Sequence, residues 1–262
     1  MAEALHTFVV CAYKESPYLP ACIESLRTQR YASTIVIATS TPCSYITSIS
    51  NQFNIPVAVN PHGGSICKDW MFALSQAHTP YVTLAHQDDV YLPSYSEDAI
   101  TRLRQQSNPL IYFCDYGELR DGKQVDTSIN LKVKRLLLSG IAKHPGSKAA
   151  RRRALSFGNP ICCPSVTYAI ENLPTPCFQE GFRSNLDWDA WERLSKLTGS
   201  FCYEPTILMH HRVHEGSETS SVIRDDVRTI EDLEILKRFW PAPIAKTISS
   251  IYRLSEQSNS LK

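Results

Sequence analysis

The N-terminal part of the chain alternates between apolar segments of strand length and segments with helical spacing. The apolar segments read HTFVVCAY, STIVIATST, IPVAVNP and PYVTLAHQDD, and they all lie within residues 6–89. Helix-like segments begin between them near Pro17, Pro42 and Ser65, and the serine is suited to cap its helix. Strands that alternate with helices in this order form βαβ units, which build a mainly parallel sheet. The sequence therefore predicts an α/β fold.

Parallel sheets bind ligands at the carboxyl ends of their strands. The predicted first strand ends near Ala12–Glu15, the third near Asn60–Pro61 and the fourth at Asp88–Asp89. We expect these ends to face one crevice. Two adjacent carboxylates at the end of a buried strand are costly unless they contact a cation or the solvent.

Bulk properties exclude several classes of protein. The 262 residues carry a formal net charge of +1, which gives no overall attraction to nucleic acid. The nine cysteines are odd in number and include no C-x-x-C pair, so we expect reduced core residues, not a zinc ribbon. The N-terminal segment does not resemble a signal peptide, and no apolar run is long enough to span a membrane. We therefore expect a cytoplasmic protein.

Four segments resemble the motifs of the family 2 glycosyltransferases in their usual order. They read FVVCAYKESPYLPACIESLRTQ, HGGSICKDWMFALSQAHTPYVTLAHQDDVYLP, NLDWDAWERL and HHRVHEGSETSS, and they extend from residue 6 to about residue 221. The resemblance implies a GT-A fold, a nucleotide-sugar donor and inversion at the anomeric carbon. In that fold a Rossmann-like, mainly parallel central sheet is flanked by helices and followed by a mixed acceptor-side half. We expect one domain, with a nucleotide-sugar-binding half (1–119), an acceptor-binding and catalytic half (120–221) and a C-terminal helical tail (222–262).

The second of these motifs implies a metal site. Departure of a nucleoside diphosphate builds up negative charge, which Mn²⁺ or Mg²⁺ held by carboxylates neutralises. We predict Asp88 as the main contact to the metal or donor, assisted by Asp89. His86 stands where the family usually has the first aspartate, and an imidazole ligand would favour Mn²⁺. The alternatives are a turn in which Asp89 caps the next helix and a hydrogen-bonded structural role for His86.

The third motif implies the catalytic base. Inverting transfer needs a group that takes the proton of the acceptor hydroxyl. Asp187 matches the base position, and Asp189 follows two residues later. Residues i and i+2 do not share a helix face, so we predict Asp187 alone. Both carboxylates could instead be acidic residues that stabilise the start of a helix.

Further donor contacts come from the first, second and fourth motifs. Ala12, Tyr13 and Glu15 match the segment that contacts the nucleobase, although Tyr13 could equally be a core residue. Asp69 follows the Gly63–Gly64 turn and resembles a base or ribose contact.

The fourth motif supplies Arg212 and His214, which suit diphosphate recognition in a closing lid; an incidental surface loop is the alternative.

The stretch Lys132–Arg153 is basic and lies in a region, 127–170, that contains no Asp or Glu. It predicts either a solvated face or peripheral contact with the inner face of a membrane, where a lipid-linked acceptor would be found. We predict an enzyme that transfers a sugar, most simply from a UDP-linked donor, to a hydroxyl of a glycan or glycolipid. The alternative is a binding protein that keeps the fold and has lost catalysis, as the replacement at His86 would allow.

Overall fold

The computed structural model describes residues 4–214 and 227–260, with side chains up to residue 251. Its strands are β1 (His6–Ala12), β2 (Thr34–Thr39), β3 (Val57–Val59), β4 (Tyr81–His86), β5 (Val90–Tyr91), β6 (Pro109–Arg120), β7 (Lys123–Val125), β8 (Val166–Ala169) and β9 (Ser200–Val213). Its helices are α1 (Leu19–Arg27), α2 (Ser44–Phe53), α3 (Ile66–Ser75), α4 (Tyr95–Arg104), α5 (Ile129–Lys143), α6 (Lys148–Leu155), α7 (Leu186–Leu194), α8 (Val227–Leu236) and α9 (Ala242–Ser260).

The strands form one mixed sheet in the order β3-β2-β1-β4-β8-β6-β9-β5, with β7 paired to β6. Strands β1 to β4 are mutually parallel, as the alternation of strands and helices predicted. Strand β8 is antiparallel to both β4 and β6, so β6 and β9 run in the same direction as β1. The sheet is therefore mainly parallel, and its mixed part lies in the second half of the chain.

Both faces of the sheet are covered, which explains why the first strand reads as a continuous apolar run. Phe8 and Val10 pack into one buried cluster, with Leu19 of α1 and Tyr95 of α4. Val9, between them, packs into a second cluster that also contains Trp188 of α7. Successive side chains of a strand point to opposite faces, so β1 joins the two cores.

Several local predictions are confirmed. Ser65 caps α3, since its hydroxyl accepts a hydrogen bond from the Lys68 amide at 3.2 Å. The sequence RDGK, residues 120–123, predicts a hairpin-type turn, and the turn between β6 and β7 consists of Asp121 and Gly122, both with positive φ as a tight hairpin requires. All nine cysteines are free, and six of them are buried.

Other elements lay outside the prediction. The sequence GNPICCPSVTY, residues 158–168, predicts a strand, but β8 begins only at Val166 and is four residues long. Helix α8 contributes Ile235 and Leu236 to the core beside Trp188, so the segment assigned to a C-terminal tail packs as part of the body of the protein. The domain boundaries themselves stay predictions.

Candidate active site

The ends of the parallel strands are tied together by side-chain hydrogen bonds. Asp69 accepts hydrogen bonds from Ser40, which follows β2, and from Asn60, which follows β3, both at 2.8 Å. Gln87, which follows β4, exchanges two hydrogen bonds with the backbone of Tyr13, which follows β1, at 3.0 and 3.1 Å. At the edge where we predict the crevice, side chains therefore join the end of β2 to that of β3 and the end of β1 to that of β4.

The three residues at the end of β1 differ in exposure. Ala12 is buried in the core, whereas Glu15 is exposed. The Tyr13 side chain is 53% exposed, which rules out the core role left open by the sequence. Its ring lies open at the sheet edge, with the Lys14 ammonium 5.1 Å from the ring centroid.

Asp88 is brought together with the two basic residues of the fourth motif. His214 Nε2 lies 2.9 Å from Asp88 Oδ2, and Arg212 Nε donates to the Asp88 backbone carbonyl at 2.9 Å. The Arg212 guanidinium also lies 4.3 Å from the centroid of the Tyr18 ring. The carboxylate and the two basic groups thus share one surface. The predicted lid continues into residues 215–221, which lie outside the described residues.

Asp89 is fully buried and holds the end of β9. Its Oδ1 accepts from the Arg212 amide and pairs with His211 Nδ1, both at 2.9 Å. Burial alone would lower the pKa of the His211 imidazole, but the charge and hydrogen bond of Asp89 outweigh it and raise that pKa to about 9. Asp89 does not cap α4, whose first turn is preceded by Ser94. Its Oδ2 has no hydrogen-bond partner among the described residues.

His86 lies at the end of β4 with its ring 5.5 Å from that of Trp70. Its Nε2 is buried and finds no hydrogen-bond partner in the described part of the chain, so the expected structural hydrogen bond is not seen. Across residues 4–214 and 227–251 there is also no cluster of three or more His, Cys, Asp or Glu side chains arranged to hold a metal.

Asp89 Oδ2 and His86 Nε2, which have no hydrogen-bond partner in the described part of the chain, and the partly exposed Asp88 carboxylate suit one kind of cation. Mg²⁺ and similar ions are commonly held by one or two carboxylates and completed by substrate phosphates and water. The donor set therefore suits a cation that arrives with a diphosphate, and does not suit a permanent all-protein site.

Asp187 lies at the start of α7 with both carboxylate oxygens engaged. Asn159 donates to its Oδ2 and the Trp188 amide to its Oδ1, both at 2.7 Å. Burial raises the pKa of the Asp187 carboxyl, although these hydrogen bonds and the nearby charges of Arg228 and Lys134 act in the opposite direction. A carboxyl with a raised pKa is suited to take up a proton.

Asp187 and Asp89 lie in the same region of the protein. Burial raises the pKa of the Cys162 and Cys163 thiols, and both carboxylates raise them further by their charge. Asp89 of the second motif and Asp187 of the third thus lie within electrostatic range of the same two cysteines, although the motifs are far apart in the chain.

Asp189 has a different role from Asp187. It is buried and forms ion pairs with Arg193 at 2.8 Å and with Arg238 at 2.7 Å. Both oxygens are therefore engaged with guanidinium groups. This arrangement stabilises the junction of α7 and the C-terminal segment and leaves no oxygen available to an acceptor.

The basic stretch divides into two parts. Arg151 is buried and donates to the carbonyls of Leu197 and Gly199, while Arg152 pairs with Glu192 at 3.0 Å. These arginines are structural, so the solvated or interfacial face expected for the whole stretch is confined largely to α5.

Sequence reasoning missed two residues next to the predicted base. Asn159 contacts Asp187 from 28 positions earlier, and Glu231 accepts hydrogen bonds from the segment before α7. No motif or periodic pattern marks either position, because each acts through a contact distant in sequence.

The comparisons agree on one class of protein. The family model described as Glycosyl transferase family 2 matches residues 7–167. A comparison with curated protein sequences finds no significant match.

Solved structures resemble the whole described chain. TarS residues 1–349 from S. aureus, in complex with UDP-GlcNAc, superimposes with a TM-score of 0.61 at 16% identity, over 93% of this chain and 70% of that one. Mannosyltransferase PcManGT from Pyrobaculum calidifontis, in complex with GDP-Man and Mn²⁺, gives 0.66 at 13% identity, over 96% and 70%. At such identities the likeness establishes the fold, and the predicted GT-A architecture is confirmed.

Proposed function

Because this chain belongs to glycosyl transferase family 2 and is a glycosyltransferase, we propose that it transfers a sugar from a UDP-linked donor with inversion and with the help of Mn²⁺ or Mg²⁺. The acceptor is a hydroxyl of a glycan or of a lipid-linked glycan. The observation that carries the proposal is the Asp187 carboxylate, which is held by Asn159 and the Trp188 amide and has a raised pKa.

The donor is proposed to lie along the ends of β1 to β4. The exposed Tyr13 ring offers a flat surface on which a nucleobase stacks. Glu15 and Asp69, the latter held by Ser40, are proposed as further donor contacts. Arg212 and His214 face the diphosphate next to Asp88, where a guanidinium suits paired phosphate oxygens. The structural relatives that contain UDP-GlcNAc and GDP-Man support a nucleotide-sugar at this edge and leave the base to be tested.

The metal is proposed to be held by Asp88, with Asp89 Oδ2 and His86 Nε2 as further ligands in the donor complex. A bound cation would neutralise the charge of the leaving diphosphate. The mannosyltransferase relative in complex with Mn²⁺ supports this choice, as does the mixed carboxylate and imidazole set.

Asp187 is proposed to act as the general base. Its carboxylate accepts the proton of the acceptor hydroxyl while the oxygen attacks the anomeric carbon from the side opposite the leaving group. Asn159 fixes the orientation of the carboxylate. Asp189 cannot replace it, since both its oxygens are held by arginines.

Thermal unfolding with UDP, GDP, UDP-GlcNAc and GDP-mannose, each with and without Mn²⁺ or Mg²⁺, tests the donor class. A ligand at one hundred times its Kd adds about 2.7 kcal/mol to the free energy of unfolding. We expect a rise in Tm for uridine nucleotides that increases with the metal. No rise with any nucleotide would contradict the proposal.

A catalytically inactive nucleotide-sugar-binding protein is the second candidate, since His86 replaces a family carboxylate. It predicts the same rise in Tm without release of UDP from the sugar. The intact surroundings of Asp187 and Arg212 favour the enzyme.

The pH dependence of kcat/KM provides a test of the base. A general base must be deprotonated, so activity falls as pH falls through the raised pKa of Asp187, above the ordinary aspartate value of 3.8. The Asn159 hydrogen bond lowers that pKa, so Asn159→Ala should move the acid limb to higher pH. The limb is measured over pH 4–9; an unchanged limb in this variant would argue against Asp187 as the base.

Helix α5 is proposed to contact an anionic membrane surface. Ile129, Val133 and Leu136 are 84%, 50% and 73% exposed and lie at positions i, i+4 and i+7, on one face of the helix. Lys132 and Lys143 are exposed beside this stripe, and no acidic residue occurs in 127–170. The combination suits an interfacial helix on anionic lipid. No helix in the described ranges is long and apolar enough to cross a membrane.

Sedimentation with vesicles tests this contact. We expect the protein to bind vesicles of phosphatidylglycerol and phosphatidylcholine more strongly than phosphatidylcholine alone. Ile129→Asp should reduce binding several-fold, whereas Ile230→Asp, at a comparably exposed isoleucine of α8, should not. If Ile129→Asp and Ile230→Asp bind the vesicles equally well, or if the unmodified protein binds neither kind of vesicle, α5 is a solvated face and not a membrane contact.

A further inference from the structure

Helix α8 reaches the segment that begins α7, and it does so through one carboxylate. Glu231 Oε1 accepts from the Arg183 amide at 2.7 Å, and Oε2 accepts from the amides of Ser184 and Asn185 at 2.8 and 2.9 Å. Three consecutive backbone donors thus converge on a single side chain that is 7% exposed. Such a group of amides is a built site for an anion, filled here by the protein itself.

The neighbouring residue reinforces the contact. Asp232 Oδ1 accepts from the Asn185 side chain at 2.7 Å, and Asp232 is buried. Asn185 immediately precedes α7 and makes no capping hydrogen bond with its own side chain. Glu231 and Asp232 of α8 therefore hold the segment that leads into α7, and Asn185 uses its side chain for this contact instead of capping the helix.

Asp187 lies only two residues beyond this contact. Its carboxylate depends on the position of the first turn of α7, because Oδ1 accepts from the amide of the next residue, Trp188. The same turn is fixed by the Asp189 amide, which donates to the Asn185 carbonyl at 2.9 Å. Movement at residues 183–185 would therefore shift Asp187 relative to Asn159 and to the groups that bury its carboxylate.

We propose that Glu231 is a positioning residue for Asp187: by holding amides 183–185, it keeps the proposed base in its half-buried, Asn159-bound position. Helix α8 also carries Arg228, whose charge acts on Asp187. The inference rests on the proposed function of Asp187 as the base. It makes α8, which follows the four resembling motifs in the chain, a part of the acceptor side of the site.

The test compares Glu231→Ala and Glu231→Gln with Ile235→Val in the full chain. Ile235 is fully buried on the same helix and its side chain has no hydrogen-bonding group, so its truncation reproduces a loss of packing alone. Glutamine keeps a carbonyl acceptor but places an NH₂ group near three donors. Its effects on the pKa of Asp187 and on kcat should therefore lie between those of the unmodified protein and Glu231→Ala.

The first readout needs no activity: the pKa of Asp187 is measured by carboxyl NMR titration of the nucleotide-free protein. Because burial is the main cause of the raised pKa, we expect it to fall toward the ordinary aspartate value in Glu231→Ala and to stay unchanged in Ile235→Val. An unchanged pKa in Glu231→Ala would overturn the proposal.

The second readout is release of UDP or GDP from UDP-GlcNAc or GDP-mannose, with water as acceptor. Small displacements of a catalytic group are costly, so kcat should fall roughly ten- to a hundredfold in Glu231→Ala while KM for the donor is retained. An equal fall in Ile235→Val would show a merely structural role. Failure of the unmodified protein to release either nucleotide would contradict the proposed function and leave the NMR readout to decide the role of Glu231.

Discussion

Asp187→Asn should lower kcat by about 10²–10⁴-fold, the usual contribution of a positioned general base. The amide has nearly the shape of the carboxylate and can still accept from the Trp188 amide, so the fold of α7 is retained. It cannot take up a proton from the acceptor hydroxyl. Turnover is measured as nucleotide release under saturating donor.

The control is Glu171→Gln. It removes an exposed carboxylate in the same half of the chain and should leave kcat unchanged. Donor binding, read as the nucleotide-dependent rise in Tm, should persist in Asp187→Asn. Retention of more than a tenth of the kcat in Asp187→Asn would mean that another group accepts the proton.

Asp88→Asn should abolish the metal-dependent part of nucleotide binding and reduce kcat/KM by at least about a hundredfold, since the ion supplies several kcal/mol of charge stabilisation. Asp88 is partly exposed, and its carboxylate is bonded to His214 at 2.9 Å. Loss of its charge removes the main proposed ligand and weakens the interaction between residue 88 and His214. The measurement is Tm with UDP, with and without Mn²⁺, together with steady-state rates.

Asp121→Asn is the matched control for this variant. Asp121 is exposed in the β6–β7 hairpin with φ 49°, a conformation that asparagine also tolerates, so neither Tm nor rate should change. A Mn²⁺-dependent rise in Tm that survives in Asp88→Asn would move the proposed metal contact to Asp89 and His86, whose Oδ2 and Nε2 atoms have no hydrogen-bond partner in the described ranges.

The parallel half of the fold could be predicted from sequence because its signals are local. Each apolar segment of residues 6–89 is bounded by turn residues or a capped helix, and β1 to β4 follow with the expected direction. The order of these strands places Tyr13, Asp69 and Asp88 at one edge without any knowledge of their contacts. The short strands β5 and β8 were less predictable, because their pairing depends on β9 and β6, far away in the chain.

The roles of adjacent acidic residues depended on tertiary contacts. Asp187 and Asp189 look alike in sequence, yet one is held by Asn159 and the other is neutralised by Arg193 and Arg238. Asp88 and Asp89 differ in the same way, since only Asp89 is buried against the end of β9. No local pattern separates the members of either pair.

The sequence by itself thus determined the class of fold, the sheet edge at which we propose the chemistry and the residue types available there. The tertiary structure alone decided which carboxylates remain accessible, which arginines of the basic stretch are structural, and that Glu231 supports the start of α7. The physical reason is the distance along the sequence over which each effect acts. Periodicity and capping act within a few residues, whereas burial, charge pairing and pKa are set by groups such as Asn159 and Glu231 that lie 28 to 48 positions from their partners.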